Sequence, residues 1–269
     1  MIAKTLVTPL LGVLVLTAGT ASAGPEWAAA STAAVHPGVR TATGSAQCTS
    51  NFVFESGSKV YLGQAAHCAT TGTEGQTNGC TTPSMPVGTK VRVTGASREG
   101  VLAYSSWLAM QAAGETDANA CAHNDFALVE LDRADVAKVN PSLPSWGGPT
   151  GLNTAGLQEG DEVVTYGSAQ LRTGPADLNA KRGRSLGDSG GGWNHTIRTS
   201  MPGVPGDSGS AVLDSAGRAV GVLATLNVSP DFGSNGAGDL ARELEYLRTH
   251  SSLRDVRLVT GTQGFRAQQ

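Results

Sequence analysis

The chain has 269 residues, 36 of them glycine, and a formal net charge of −3 at pH 7. Lysine and arginine number 19 against 22 acidic residues, and no basic block indicates a nucleic-acid partner. Abundant glycine with only 5% aromatic residues is typical of many short strands joined by tight turns.

The first 23 residues have the pattern of a secretory signal peptide. Lys4 supplies a positive charge, residues 6–18 are nearly all apolar, and residues 21–23 (Ala-Ser-Ala) form a small-residue cleavage site. A membrane-spanning helix is the competing interpretation, but the apolar run is shorter than the roughly 20 residues that a bilayer core requires. We expect cleavage after Ala23 and a secreted protein that has no membrane contact afterwards.

Four cysteines occur in the chain, and an even number in a secreted protein indicates disulfide bonds. Three pairings are possible, and we favour the nearest-neighbour pairing because it closes two modest loops. Zinc binding is the competing interpretation, but the chain lacks the Cys-x-x-Cys spacing of zinc sites. We therefore expect no metal, and disulfides between Cys48 and Cys68 and between Cys80 and Cys121.

Residues 24–46 are rich in Ala, Gly, Ser and Thr and are predicted to be a flexible lead-in or pro-segment, so that the folded domain covers 47–269. A Pro- and Gly-rich connector near 132–160 divides this domain into two halves. Leu240, Leu244 and Leu247 recur at helical spacing and predict a C-terminal helix over 238–250. Strands are predicted at 51–54, 59–66, 90–95, 101–110 and 125–131, then at 161–167, 169–172, 194–200, 210–214 and 218–228.

The tetrapeptide Gly-Asp-Ser-Gly, which often surrounds a nucleophilic serine, occurs around Ser189 and again around Ser208. A serine hydroxyl is a weak nucleophile at neutral pH, so it needs a base to take its proton and a third group to orient that base. His67 is the candidate base, because it ends an apolar run and a disulfide at Cys68 would hold the backbone beside its ring. A structural histidine at a strand end is an equally good interpretation of His67 alone.

Asp125 begins an apolar run that ends at Leu131, and a carboxylate at the mouth of a buried strand is costly unless it meets a donor. A histidine Nδ1–H is such a donor, and the pairing would fix the tautomer and stabilise the imidazolium. For Asp125 alone, an aspartate that caps a turn is the stronger interpretation. His123 is expected to be an exposed loop histidine.

Three segments together resemble the signature segments of the chymotrypsin/trypsin-like serine protease family, namely 65–68 (AAHC), 125–129 (DFALV) and 206–212 (GDSGSAV). Their order, His then Asp then Ser, differs from that of subtilisins and α/β-hydrolases. The resemblance spans about Cys48 to Val228 and is most similar to the secreted bacterial streptogrisin type. It implies an all-β fold of two six-stranded antiparallel barrels with a C-terminal helix.

That fold favours Ser208 over Ser189 as the nucleophile, because only Ser208 follows enough strands of the second barrel. Residues 187–192 are then expected to form a glycine-rich surface turn. The resemblance also implies an oxyanion hole from the N–H groups of Gly206 and Ser208, with His67 as base and Asp125 orienting it. The implied activity is peptide-bond hydrolysis by a secreted, monomeric serine endopeptidase that needs no cofactor and acts on peptide or protein substrates.

The chain departs from the family pattern in two places. No Ile-Val-Gly-Gly sequence precedes Cys48, so another partner must hold Asp207, which animal enzymes pair with a new N-terminus. The pocket wall, usually Ser-Trp-Gly, aligns with Ala224, Thr225 and Leu226. Pro202 stands at the pocket base and no carboxylate lies nearby, so we expect an uncharged specificity pocket.

Two other functions stay open. An inactive homologue that binds a partner or substrate would share the fold. A lipase or esterase is suggested by residues 187–191, which match Gly-x-Ser-x-Gly around Ser189. That motif must lie between a strand and a helix and its histidine must follow later in the chain, and the flanks here are rich in glycine and β-like.

Overall fold

The computed structural model describes Met1 and residues 24–73, 75–170, 176–227 and 231–267. The expected signal peptide therefore lies outside the described residues apart from Met1, as do residues 171–172 of one expected strand. Within the described ranges, no helix is long and apolar enough to cross a membrane.

The first half of the chain forms an antiparallel sheet of eight short strands. They are β1 Arg40–Thr43, β2 Ala46–Thr49, β3 Val53–Ser56, β4 Lys59–Gln64, β5 Lys90–Val93, β6 Gly100–Ser105, β7 Ala127–Glu130 and β14 Arg257–Leu258. The strand order is β14-β3-β4-β7-β6-β5-β1-β2. This sheet has two more strands than the predicted six-stranded barrel, namely β1, which lies in the expected lead-in, and β14, which arrives from the C-terminal end.

The second half forms a closed six-stranded antiparallel barrel, as predicted. Its order is β10-β13-β12-β11-β8-β9, and its strands are β8 Glu162–Tyr166, β9 Ala180–Asp188, β10 Asn194–Thr199, β11 Ala211–Asp214, β12 Ala219–Leu226 and β13 Asn235–Asp239. One hydrophobic cluster joins the two halves and contains Phe54 and Phe126 from the first together with Leu213 and Val222 from the second.

In the described part of the chain, three α-helices accompany the strands: α1 Ser106–Ala113, α2 Ala118–His123 and α3 Leu240–His250. The predicted C-terminal helix is therefore present as α3, whose N-terminus is capped by the Asp239 carboxylate accepting from Arg242 N. The strand predicted over 101–110 ends at Ser105 instead. Trp107 and Met110 are buried at a spacing of three residues, which suits the helical period of α1 and not the alternation of a strand.

The expectation of a flexible lead-in over 24–46 is wrong from Ala28 onward. Ala28 N donates to Val139 O at 2.9 Å, and β1 is hydrogen-bonded between β2 and β5. Val35 and Val39 are buried, and each contributes about 1.5–3 kcal/mol through removal of apolar surface from water. The composition obscured this role because small residues surround the two valines.

Candidate active site

His67 lies on a 3₁₀ turn, Ala66–Ala69, that directly follows β4. The disulfide between Cys48 and Cys68 joins this turn to the end of β2, with the two Cα atoms 6.1 Å apart. Both sulfurs and a ring nitrogen of His67 lie within 4.8 Å of one another. This group is not a metal centre, because the sulfurs are bonded to each other and a thiolate is the form that binds metal.

Asp125 holds the imidazole through two contacts of one carboxylate. Its Oδ2 lies 2.6 Å from His67 Nδ1, and its Oδ1 accepts from His67 N at 2.8 Å. With a proton on Nδ1 that donates to Asp125, the Nε2 atom of His67 is left as the acceptor that a base requires. The carboxylate is almost buried and the imidazole is about one quarter exposed at 25%. The ring is therefore fixed in orientation while its edge remains accessible.

Two opposing effects set the pKa of His67. Burial lowers it, whereas the charge of Asp125 and the hydrogen bond to it raise it, and the net result is a pKa above the usual 6.5. By the same effects, the Asp125 carboxylate stabilises the imidazolium that forms when His67 takes up a proton during a reaction.

Ser208 lies on the loop that leads into β11, and this loop is held by Thr49 at the end of β2. Thr49 N donates to Ser208 O at 2.8 Å, and Thr49 Oγ1 donates to Gly206 O at 2.8 Å. A Cβ atom added at Gly209, where φ is +90°, would lie only 2.3 Å from Thr49 O and 3.0 Å from Ala65 N. The loop that carries Ser208 therefore packs against the segment that precedes His67.

The backbone around Ser208 has two N–H groups that are available as donors. Gly206 adopts a φ of +98°, a conformation that favours glycine. Within the described part of the chain, neither Gly206 N nor Ser208 N donates to an acceptor. A pair of free N–H groups separated by one residue is the arrangement that binds a developing oxyanion.

Asp207 turns away from this surface and forms a buried ion pair. Its Oδ2 lies 2.8 Å from Lys181 Nζ in β9, with side-chain exposures of 0% and 1%. The same carboxylate accepts from Ala169 N at 3.1 Å and from Val204 N at 3.2 Å. Lys181 is thus the partner of Asp207, in the position that a new N-terminus takes in animal enzymes. Its neighbour Arg182 is exposed, and nothing in the sequence distinguishes the two cations.

The second Gly-Asp-Ser-Gly copy has a different environment. Ser189 lies in the turn between β9 and β10, where its Oγ accepts from Asn194 Nδ2 at 2.6 Å and contacts Thr196 Oγ1 at 2.9 Å. The nearby His195 is engaged elsewhere, with Nε2 2.9 Å from Asp239 Oδ2. No histidine among the described residues hydrogen-bonds Ser189, and the next element is strand β10 and not the helix that an esterase nucleophile would require.

The residues predicted to form the specificity pocket lie on two neighbouring segments. Thr225 and Leu226 end β12, where the pairing with β13 shifts register next to Ala224. Asn235, which the sequence did not single out, connects the two segments: its Oδ1 accepts from Gly203 N at 2.7 Å and its Nδ2 donates to Thr225 O at 3.0 Å. The loop that follows Pro202 is therefore attached to the wall strand through one buried amide.

Comparison with known proteins places these features in a family. The model of the trypsin-like peptidase domain matches residues 49–222. Sequence comparison with curated proteins yields no match. The fold is similar to that of Thermobifida fusca protease A, with a TM-score of 0.53 and 19% identity, covering 84% of this chain and 99% of that one. It is also similar to Nocardiopsis protease, with a TM-score of 0.51, 19% identity and coverage of 83% and 98%.

A third similar structure is the chymotrypsin of Cellulomonas bogoriensis, with a TM-score of 0.51, 18% identity and coverage of 84% and 98%. The family match covers most of the chain, and the chain therefore belongs to the trypsin-like peptidase family. It is a serine-type endopeptidase with a chymotrypsin-like fold, as the resemblance implied.

We predict that Gly209→Ala disrupts the contact between the Ser208 loop and β2. The new Cβ would meet backbone at Thr49, so the loop must move, and a displacement of about 1 Å is expected to slow labelling of Ser208 by an active-site-directed fluorophosphonate about 100-fold. Gly88→Ala is the matched control, because its φ is +96° but nothing lies within 4 Å of the added atom. Equal labelling rates in the two variants would contradict the role assigned to this contact.

We predict that Lys181→Met destabilises the protein strongly. It removes the ammonium group that faces the buried Asp207 carboxylate, and breaking such a pair costs about 3–5 kcal/mol in the free energy of unfolding. The control is Lys59→Met, which removes an exposed ion pair with Glu130 and should cost less than about 1 kcal/mol. Urea unfolding measures the free energy of unfolding of both variants. Similar losses in the two variants would contradict a larger stabilising contribution from the buried pair.

Proposed function

We propose that the protein is a secreted serine endopeptidase in which His67, Asp125 and Ser208 form the catalytic triad. The observation that carries the proposal is the 2.6 Å contact between His67 Nδ1 and Asp125 Oδ2. It orients the imidazole in a fold where the Ser208 loop packs against the segment carrying that histidine. The family match supports the reaction class.

The reaction follows from the groups present. His67 Nε2 takes the proton of Ser208 Oγ as the oxygen attacks a peptide carbonyl, and Asp125 stabilises the imidazolium that forms. The N–H groups of Gly206 and Ser208 donate to the carbonyl oxygen as it becomes negative, each contributing about 3 kcal/mol of transition-state stabilisation. His67 then protonates the leaving amine. Water attacks the acyl-enzyme with His67 again as the base, and Ser208 is regenerated.

An uncharged side chain at the cleaved position fits the proposed pocket. Residues 201–205 contain no carboxylate that could pair with a substrate lysine or arginine, and position 223 is a leucine. Pro202, Ala224, Thr225 and Leu226 are all uncharged. Neutral residues on both segments favour apolar or small substrate side chains over charged ones.

Secretion is supported by two independent features. The first 23 residues have the composition of a signal peptide. The structure contains two disulfides, Cys48–Cys68 and Cys80–Cys121, and no free cysteine among the described residues. Disulfides persist in oxidising compartments, so both features favour an extracytoplasmic site of action.

The test is labelling of the purified protein by a fluorophosphonate probe. We expect the wild type and Ser189→Ala to be labelled, and Ser208→Ala to be unlabelled, because only Ser208 has an activated hydroxyl. Ser189→Ala is the matched control, since it alters the same tetrapeptide in the second copy. Loss of labelling in Ser189→Ala alone would favour an esterase. An unlabelled wild type would favour an inactive homologue and reject the proposal.

The pH dependence of the base provides an independent prediction. His67 acts as a base only when neutral, so the labelling rate should rise with pH through the His67 pKa, with a midpoint above 6.5. Asp125→Asn removes the charge that raises this pKa while leaving the burial that lowers it. NMR titration of the ring should therefore show the His67 midpoint falling in Asp125→Asn. An unaltered His67 midpoint would contradict the pairing.

A further inference from the structure

A buried carboxyl group outside the proposed triad, that of Glu243, contacts the main chain of Asp125. Glu243, in the first turn of α3, is completely buried, and its Oε1 accepts from the main-chain N of Asp125 at 3.1 Å. The approach requires a glycine in β13, since a Cβ atom at Gly238 would lie 2.4 Å from that oxygen. Asp125 is thus held at its carboxylate by His67 and at its backbone by Glu243.

The surroundings of Glu243 favour its neutral form. Within the described residues it has no lysine, arginine or histidine partner, and its Oε2 has no hydrogen-bond partner. The titratable groups that face it are Asp125, Tyr104 of β6 and Asp239 at the end of β13, the last of these paired with His195. Burying a second negative charge beside Asp125 without a cation is very costly.

The proton therefore belongs on Glu243 and the charge on Asp125. Asp125 receives two N–H donors from His67, whereas Glu243 receives one neutral amide. Burial and then the charge of Asp125 raise the pKa of Glu243 well above its usual 4.5. A neutral Glu243 also suits the proposed role of His67 as a base, because a second negative charge nearby would favour the protonated form of His67.

We propose that Glu243 is a positioning residue for the triad, a neutral carboxylic acid that accepts the main-chain N–H of Asp125 and thereby holds the Asp125 carboxylate against His67. This inference rests on the proposed function. Ala66 N donates to Asp125 O at 3.2 Å, so the peptide groups on both sides of Asp125 are hydrogen-bonded. Without the Glu243 acceptor, the main-chain N–H of Asp125 loses its hydrogen bond.

Peptide hydrolysis by three variants tests the proposal. Glu243→Met keeps the length of the side chain without an acceptor, and we expect kcat to fall about 10-fold with KM within about 2-fold, because Asp125 N is left buried and unpaired. Glu243→Gln keeps a neutral acceptor and should restore most of kcat and the wild-type pH profile. Glu245→Met is the control, since Glu245 is exposed on the same helix. Equal kcat in Glu243→Met and Glu243→Gln would overturn the proposal.

A second measurement decides the matter where Glu243→Met fails to fold. Carboxyl ¹³C NMR of the wild type, with the Glu243 signal assigned by its absence in Glu243→Gln, should show a protonated carboxyl at pH 7. An ionised signal at that pH would overturn the proposal. The NMR readout does not depend on Ser208, so a wild type that resists the fluorophosphonate would reject the proposed function while the charge state of Glu243 is still measured.

Discussion

The arrangement of the site depends on one contact between the two halves, the hydrogen bonds from Thr49 to the loop that carries Ser208. One residue at the end of β2 donates from both its main chain and its hydroxyl, to Ser208 O and Gly206 O. Gly209 lets the backbones approach without a side chain between them. The Cys48–Cys68 disulfide continues the connection to the turn of His67. Backbone, hydroxyl and disulfide thus form one short path from Ser208 to His67.

Asp207, Asp125 and Glu243 are buried carboxyl groups near this path, and each has a different kind of partner. Asp207 is paired with the buried ammonium group of Lys181, which suits a structural task. Asp125 faces an imidazole, whose charge changes during proton transfer. Glu243 has no cation and one amide donor, so the neutral acid is its stable form. The partner of each carboxyl group therefore differs: an ammonium for Asp207, an imidazole for Asp125 and a neutral amide for Glu243.

Much of this site was visible in the sequence because its signals are local. His67, Asp125 and the loop of Ser208 each lie in a short motif, and the strands β4, β7 and β11 around them have clear apolar runs. The residues that hold these motifs together were not visible. Thr49, Lys181, Asn235 and Glu243 act through contacts with distant segments, and each looks locally like an ordinary polar residue. The short strands β1 and β14 were missed for the same reason, since pairing and not composition makes them strands.

The two ends of the described chain meet in the first sheet. Asn140 Nδ2 donates to Ala28 O at 2.6 Å and to Thr262 Oγ1 at 2.8 Å, while β14 completes the sheet beside β3. During synthesis, β3 therefore lacks its outer neighbour until Arg257 and Leu258 have left the ribosome. Loop closure across more than two hundred residues makes the last pairing slow in principle.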